Sequence, residues 1–193
     1  MKIESAGILF IAMLATGCES AFAPQSVDIF PKVDVQSSQI GAGHTIKLSV
    51  IDERPRQTLG IRGANQTGSN LTIEGNLSAI VQGALVEGLE RQNFKPVDGS
   101  GKESRELRVE IRNLDYTVLQ EFWYIKLNID TTLKAFCIQS TQRPYEQLYR
   151  GEFVKNVQLI QSREENSSHI SSALSTAVNS LLADQKLLAC LNE

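Results

Sequence analysis

Between residues 105 and 138 the chain alternates apolar and polar side chains with little interruption, and this restricts the fold more than any other feature. In 105–114, Leu107, Val109 and Ile111 fall on one side and Arg108, Glu110 and Arg112 on the other. In 121–138, Trp123, Ile125, Leu127, Ile129, Leu133, Ala135 and Cys137 share a face, while Lys126, Asn128, Asp130, Thr132 and Lys134 share its opposite. A period of two is that of a strand with one face buried and one in water. Such strands suit an antiparallel or mixed sheet, not a parallel sheet covered on both sides.

The rest of the chain supplies the layer that covers the apolar face. Residues 44–53 alternate through Ile46, Leu48 and Val50, and 145–159 alternate less regularly. Two stretches switch to the helical period. Residues 75–93 place Leu77, Ile80, Val81, Ala84, Leu85 and Leu89 on one stripe, with Asn76 as N-cap. Gly83 and Gly88 cost this helix up to ~1 kcal/mol each relative to alanine, which points to close packing on a sheet or to a bend of the helix at one of them. Residues 167–188 carry a second stripe through Ile170, Leu174, Ala177, Val178, Leu181, Gln185 and Leu188. Residues 58–70, rich in Gly, Asn and Thr, read as a loop. Residues 26–30 and 32–35 have strand composition but are divided by Pro31, which cannot donate to a ladder, so they read as an edge or a strap. The expected fold is α+β. It is a two-layer sandwich whose mixed, mostly antiparallel sheet has about four strands plus the N-terminal edge segment. Two helices lie on one face, in the order β-α-β-β-β-α.

The N-terminus reads separately. Residues 6–15 are continuously apolar behind Lys2, too short for a membrane span of ~20 residues and suited to a signal peptide. Thr16 and Gly17 are the small residues that a signal peptidase needs, and Cys18 follows. Leu14-Ala-Thr-Gly-Cys18 resembles the lipobox of bacterial lipoproteins, although the usual Leu three places before the cysteine is replaced by Ala15. That resemblance implies lipidation of Cys18 after removal of residues 1–17, a tether over 18–25 and one periplasmic domain over 26–193. Stable anchoring takes more than one acyl chain, which a triacylated Cys18 supplies. Glu19, where an inner-membrane lipoprotein of enterobacteria has Asp, points to the outer membrane. Cys137 and Cys190 then remain. Cys137 is in phase with the core, whereas Cys190 falls opposite the stripe of the last helix. A disulfide therefore requires that helix to end early, and the alternative is a buried free Cys137.

Chemistry-bearing residues are sparse. The net charge is −3 with no basic cluster, which argues against a nucleic-acid partner. His44 and His169 are far apart, so no metal is expected, and no phosphate-binding or dinucleotide glycine motif implies a cofactor. Asp52-Glu53-Arg54-Pro55-Arg56 is the densest ionic cluster. Asp52, Arg54 and Arg56 could bind a small anionic or polar ligand, or they could be a solvated strand end whose charges pair locally. Phe122 and Tyr124 fall on the otherwise polar face and could mark a partner surface.

Over nearly its whole mature length the chain resembles the YajG family of bacterial lipoproteins. The residues that carry this are the Cys18 lipobox, Ser26-Val-Asp-Ile-Phe-Pro31, Leu48-Ser-Val-Ile-Asp-Glu-Arg54 with Leu59-Gly60, Arg91-Gln-Asn-Phe94 and Ala177-Val-Asn-Ser180. The resemblance implies an outer-membrane lipoprotein facing the periplasm, with no catalytic residues to carry over. Three functions follow for comparison: a lipid-anchored adaptor with an envelope protein partner, a carrier of a lipid or other hydrophobic ligand, and an enzyme built on Asp52–Arg56. The first is expected, the protein being non-catalytic. The oligomeric state is open.

Overall fold

The computed structural model describes residues 23–98, 105–139, 145–157 and 161–193. Its frame is a three-stranded antiparallel meander of long strands, β6 (Arg105–Gln120), β7 (Ile125–Gln139) and β8 (Tyr145–Val157). The register of β6 on β7 shifts between Ile111 and Asn113, a bulge at Arg112. The remaining strands branch from the free edge of β6. Its first half pairs in parallel with β2 (Thr45–Asp52), which pairs in parallel with β5 (Lys95–Asp98). Its second half pairs through Tyr116 with Gly60 of β3 (Gly60–Ile61). From β3 the sheet continues to β4 (Asn70–Ile73) and then to β1 (Gln25–Val27).

The α+β class and the helices on one face agree with the sequence reading; the four-strand sheet and its order do not. Among the described residues the sheet has eight strands, with four parallel and three antiparallel pairings. The missed strands are two to four residues long, too short for a period to be read. β3 and the start of β4 lie within the stretch expected to be a loop. Gly60 is needed there because a Cβ would stand 2.0 Å from the Tyr116 carbonyl oxygen.

Helix α1 (Leu77–Arg91) begins as expected, with the Asn76 side chain accepting from the Ala79 amide at 3.0 Å. It buries Leu77, Val81, Leu85 and Leu89 against the inner face of the sheet, where Ile46, Leu48, Leu107, Val109 and Ile111 are also buried. Gly88 admits the side chain of Leu182, so the close contact is with the second helix rather than with a strand. That helix, α2 (Arg163–Leu182), opens with a capping box of Ser162 and Glu165. It crosses β8 at Gly151, where a Cβ would meet the Ala173 carbonyl oxygen at 2.0 Å.

The single helix expected over 167–188 is in fact two. The chain leaves α2 at Ala183, and Asp184 caps α3 (Gln185–Asn192) through the amides of Lys186 and Leu187. Asp184 also accepts hydrogen bonds from the Tyr145 and Tyr149 hydroxyls, at 2.8 and 2.6 Å. This break turns Leu187, Leu188 and Leu191 inward and brings Cys190 to Cys137, to which it is disulfide-bonded. Of the two sequence alternatives for Cys137, the disulfide is the one realised.

Between β1 and β2 the chain runs along α2 without pairing in the sheet. Alternate strap amides donate to side chains one helical turn apart: Phe30 to Ser171 Oγ at 2.9 Å, Lys32 to Ser175 Oγ at 2.8 Å and Asp34 to Asn179 Oδ1 at 2.8 Å. Two residues of extended chain rise ~6.6 Å and four residues of helix ~6 Å, so the two ladders stay in step.

Candidate functional site

The three residues of the ionic cluster have separate environments. Asp52 ends β2, and the chain turns so that Arg54 Nε and Nη2 donate to its two carboxylate oxygens at 2.9 and 2.8 Å. Arg54 is almost wholly buried rather than solvated. Arg56 is exposed and reaches Asp115 on β6 at 3.2 Å. Burial alone would raise the Asp52 pKa, but the hydrogen bonds and charge of Arg54 outweigh it and hold the carboxyl below its usual range. A general base at neutral pH needs the opposite shift. Beside the pair lies a cavity of about 420 Å³ lined by Thr58, Thr72, Asn76 and Ser78 as well as Asp52 and Arg54. With the Arg54 fork neutralised by Asp52, its chemistry is that of a polar pocket without net charge.

The aromatic residues are placed differently from expectation. Glu121 to Tyr124 form the turn between β6 and β7, closed by the Glu121 amide donating to the Tyr124 carbonyl at 2.9 Å. Trp123, expected in the core, is 87% exposed, because β7 begins only at Ile125 and the alternation does not extend into the turn. Phe122 is 85% exposed and stacks edge-on with Trp123 at 4.5 Å, and Tyr124 is 42% exposed. The apolar patch is therefore the tip of a hairpin, not a sheet face. Cys18 lies outside the described residues.

Two features escaped the sequence reading. Arg62, in the Gly60–Gly63 stretch, is buried and donates through Nη1 to the Ala23 carbonyl at 2.9 Å and through Nη2 to the Gln161 carbonyl at 3.3 Å. It fixes where the chain enters the domain. Tyr116 stands near it, and burial raises its hydroxyl pKa to about 12 despite the attraction of Arg62. The second feature is an open groove of about 1100 Å³ between the strap and α2, lined by Asp28, Phe30, Lys32, Arg163, Ser168 and Ser172. Phe30 is 70% exposed in it. The polar residues at i, i+4 and i+8 on α2 (Ser171, Ser175, Asn179) were its sequence signal.

Among the described residues no group of three His, Cys, Asp or Glu side chains could hold a metal ion, and no helix is long and apolar enough to cross a membrane. His169 stacks on Phe153 at 4.4 Å. Burial, then the Lys155 charge, lowers its pKa, and Glu165 opposes them only in part.

A family model described as an uncharacterised lipoprotein matches residues 31–192. No curated protein sequence matches the chain. Among the solved structures similar to this chain are two that share its fold. One is a Xanthomonas campestris protein, at 9% identity and TM-score 0.54, covering 83% of this chain and 92% of its own. The other is a Helicobacter pylori protein described as a homologue of a neuraminyllactose-binding hemagglutinin. It is 10% identical with TM-score 0.56, covering 86% of this chain and 97% of its own. At such identities the likeness concerns fold only.

Proposed function

Because the chain belongs to a family of uncharacterised lipoproteins, we propose that it is anchored through lipids on Cys18 to the outer membrane, faces the periplasm, and acts without catalysis as an adaptor for an envelope protein. The YajG resemblance is compatible with that family and is part of this proposal. The observation that carries the adaptor reading is the strap groove. It is open and offers polar and apolar surface in similar measure, with an exposed Phe30 for an apolar contact and Lys32 and Glu164 for charged ones, Arg163 being already paired with Asp28 and Glu74. An extended segment of another protein suits such a surface better than a small substrate does. The neutralised Asp52–Arg54 pair gives an enzyme little to work with. Among the described residues, the cavity lined by Val118, Ile125, Leu127 and Val157 together with Arg62 and Tyr116 holds only about 20 Å³, room for a single water rather than for a hydrophobic ligand.

The test is fractionation of native cells followed by co-purification. Wild-type protein should be found in the outer membrane with a defined partner. Cys18→Ser should be soluble, and Phe30→Asp should remain in the membrane yet lose the partner. Unchanged location in Cys18→Ser would remove the anchor. A lipid co-purifying in fixed ratio would favour the carrier.

A further inference from the structure

We infer that the Phe122–Trp123–Tyr124 hairpin tip docks on the lipid surface that holds the protein's own acyl chains. This rests on the Cys18 anchor proposed above and adds a second, protein-borne contact with the membrane.

Strand directions place the start of β1 and the tip at the same end of the sheet. β3 is parallel to β6, β4 antiparallel to β3, and β1 parallel to β4, so β1 runs opposite to β6. β6 runs towards the tip, and the chain preceding β1 therefore arrives from the tip's side. Its level is also defined. Gly60 pairs with Tyr116, and Arg62, which holds the Ala23 carbonyl, shares a small cavity with Val118 and Ile125. Ala23 is thus level with the last rungs of the β6–β7 ladder, and the tip projects four residues beyond Val118, ~13 Å at strand rise. Cys18 precedes Ala23 by five residues, a reach of at most ~17 Å. The tether is long enough to bring the lipidated cysteine to the plane of the tip and too short to lift the tip far from it.

The tip's chemistry fits that plane. Phe122 and Trp123 present two nearly bare rings, with Tyr124 and the 44% exposed Leu119 beside them. Tryptophan and tyrosine favour the membrane–water interface, where an apolar ring body and a polar N–H or O–H are both satisfied. Behind the rings, Lys126 lies opposite Leu119 and Lys155 opposite Leu127, placed for anionic headgroups, with Glu121 the acid of the turn.

Trp123 is the chain's one tryptophan, so its fluorescence reports on the tip alone. The lipidated mature chain is reconstituted into phosphatidylethanolamine–phosphatidylglycerol vesicles with and without brominated acyl chains, and flotation is measured on the same samples. The expected result is a floating protein whose emission is blue-shifted and quenched by the brominated lipid, with both effects diminished in Phe122→Ser. A floating protein whose emission ignores the bromine overturns the inference and leaves the anchor intact. A protein that does not float overturns the anchor, and the inference with it.

Discussion

Asn179 on α2 grips Asp34 on the strap: its Oδ1 accepts the Asp34 amide at 2.8 Å, while its Nδ2 donates to the Lys32 carbonyl at 2.9 Å. An amide side chain satisfies a donor and an acceptor of an extended backbone at once, much as a neighbouring strand would. Here a helix takes the place of the missing sheet neighbour.

Replacing Asn179 by Ala removes both bonds, each contributing about 1 kcal/mol. Stability should fall by ~1–2 kcal/mol, and amide exchange at Asp34 should accelerate while exchange in β7 follows only the global change. Hydrogen exchange by NMR measures this. Unaltered protection at Asp34 would mean that the strap is held elsewhere.

The disulfide between Cys137 and Cys190 closes a loop across 53 residues. Cys190→Ser should lower stability by about 4 kcal/mol, the entropy of a loop of that order. Reducing agent should lower the melting temperature of wild type but not of the variant.

Two glycines should respond in opposite ways to alanine. At Gly151 the new methyl meets helix backbone at 2.0 Å, so Gly151→Ala should cost ~1–3 kcal/mol. At Gly83 nothing lies within 4 Å, and Gly83→Ala should stabilise α1 by up to ~1 kcal/mol. Denaturant midpoints of the two variants decide it.

The Tyr149–Asp184 bond predicts two limbs of pH dependence. Burial of Asp184 opposes ionisation, but bonds from Tyr149, Tyr145 and two amides lower its pKa below the unfolded 3.8. Its contribution is present above that value and lost as pH falls through the folded one. Burial, then Asp184, raises the Tyr149 pKa above 10.0. That contribution is complete below pH 10.0 and lost as pH rises through the folded value. Asp184→Asn should flatten the acid limb and Tyr149→Phe the alkaline one. Denaturation across both ranges tests this, and limbs unchanged in the variants would assign the dependence to other groups.

How much was legible follows from length and period. β2, β6, β7, β8 and α1 each repeat a pattern long enough to identify, and their inner residues Ile46, Leu107, Leu133 and Leu85 are buried as expected. β1, β3 and β4 are too short to carry a period. Arg54 was legible as a charged residue but not as a buried one, because its fork to Asp52 depends on how the chain turns after β2. At Trp123 the alternation continued on paper through a turn that reverses the chain.

The sequence by itself determined the class of fold, the buried face of each long element and the cap of α1, since these depend on residues within a few positions of one another. Tertiary structure alone decided how β6 divides its edge between β2 and β3, that the last helix breaks at Asp184, and that Cys190 thereby reaches Cys137. It also set the strap in step with α2 and put the bare aromatic tip at the end of the sheet where β1 begins. Each of these joins groups distant in sequence, and their free energies depend on a geometry that exists only once the sheet and helices have packed.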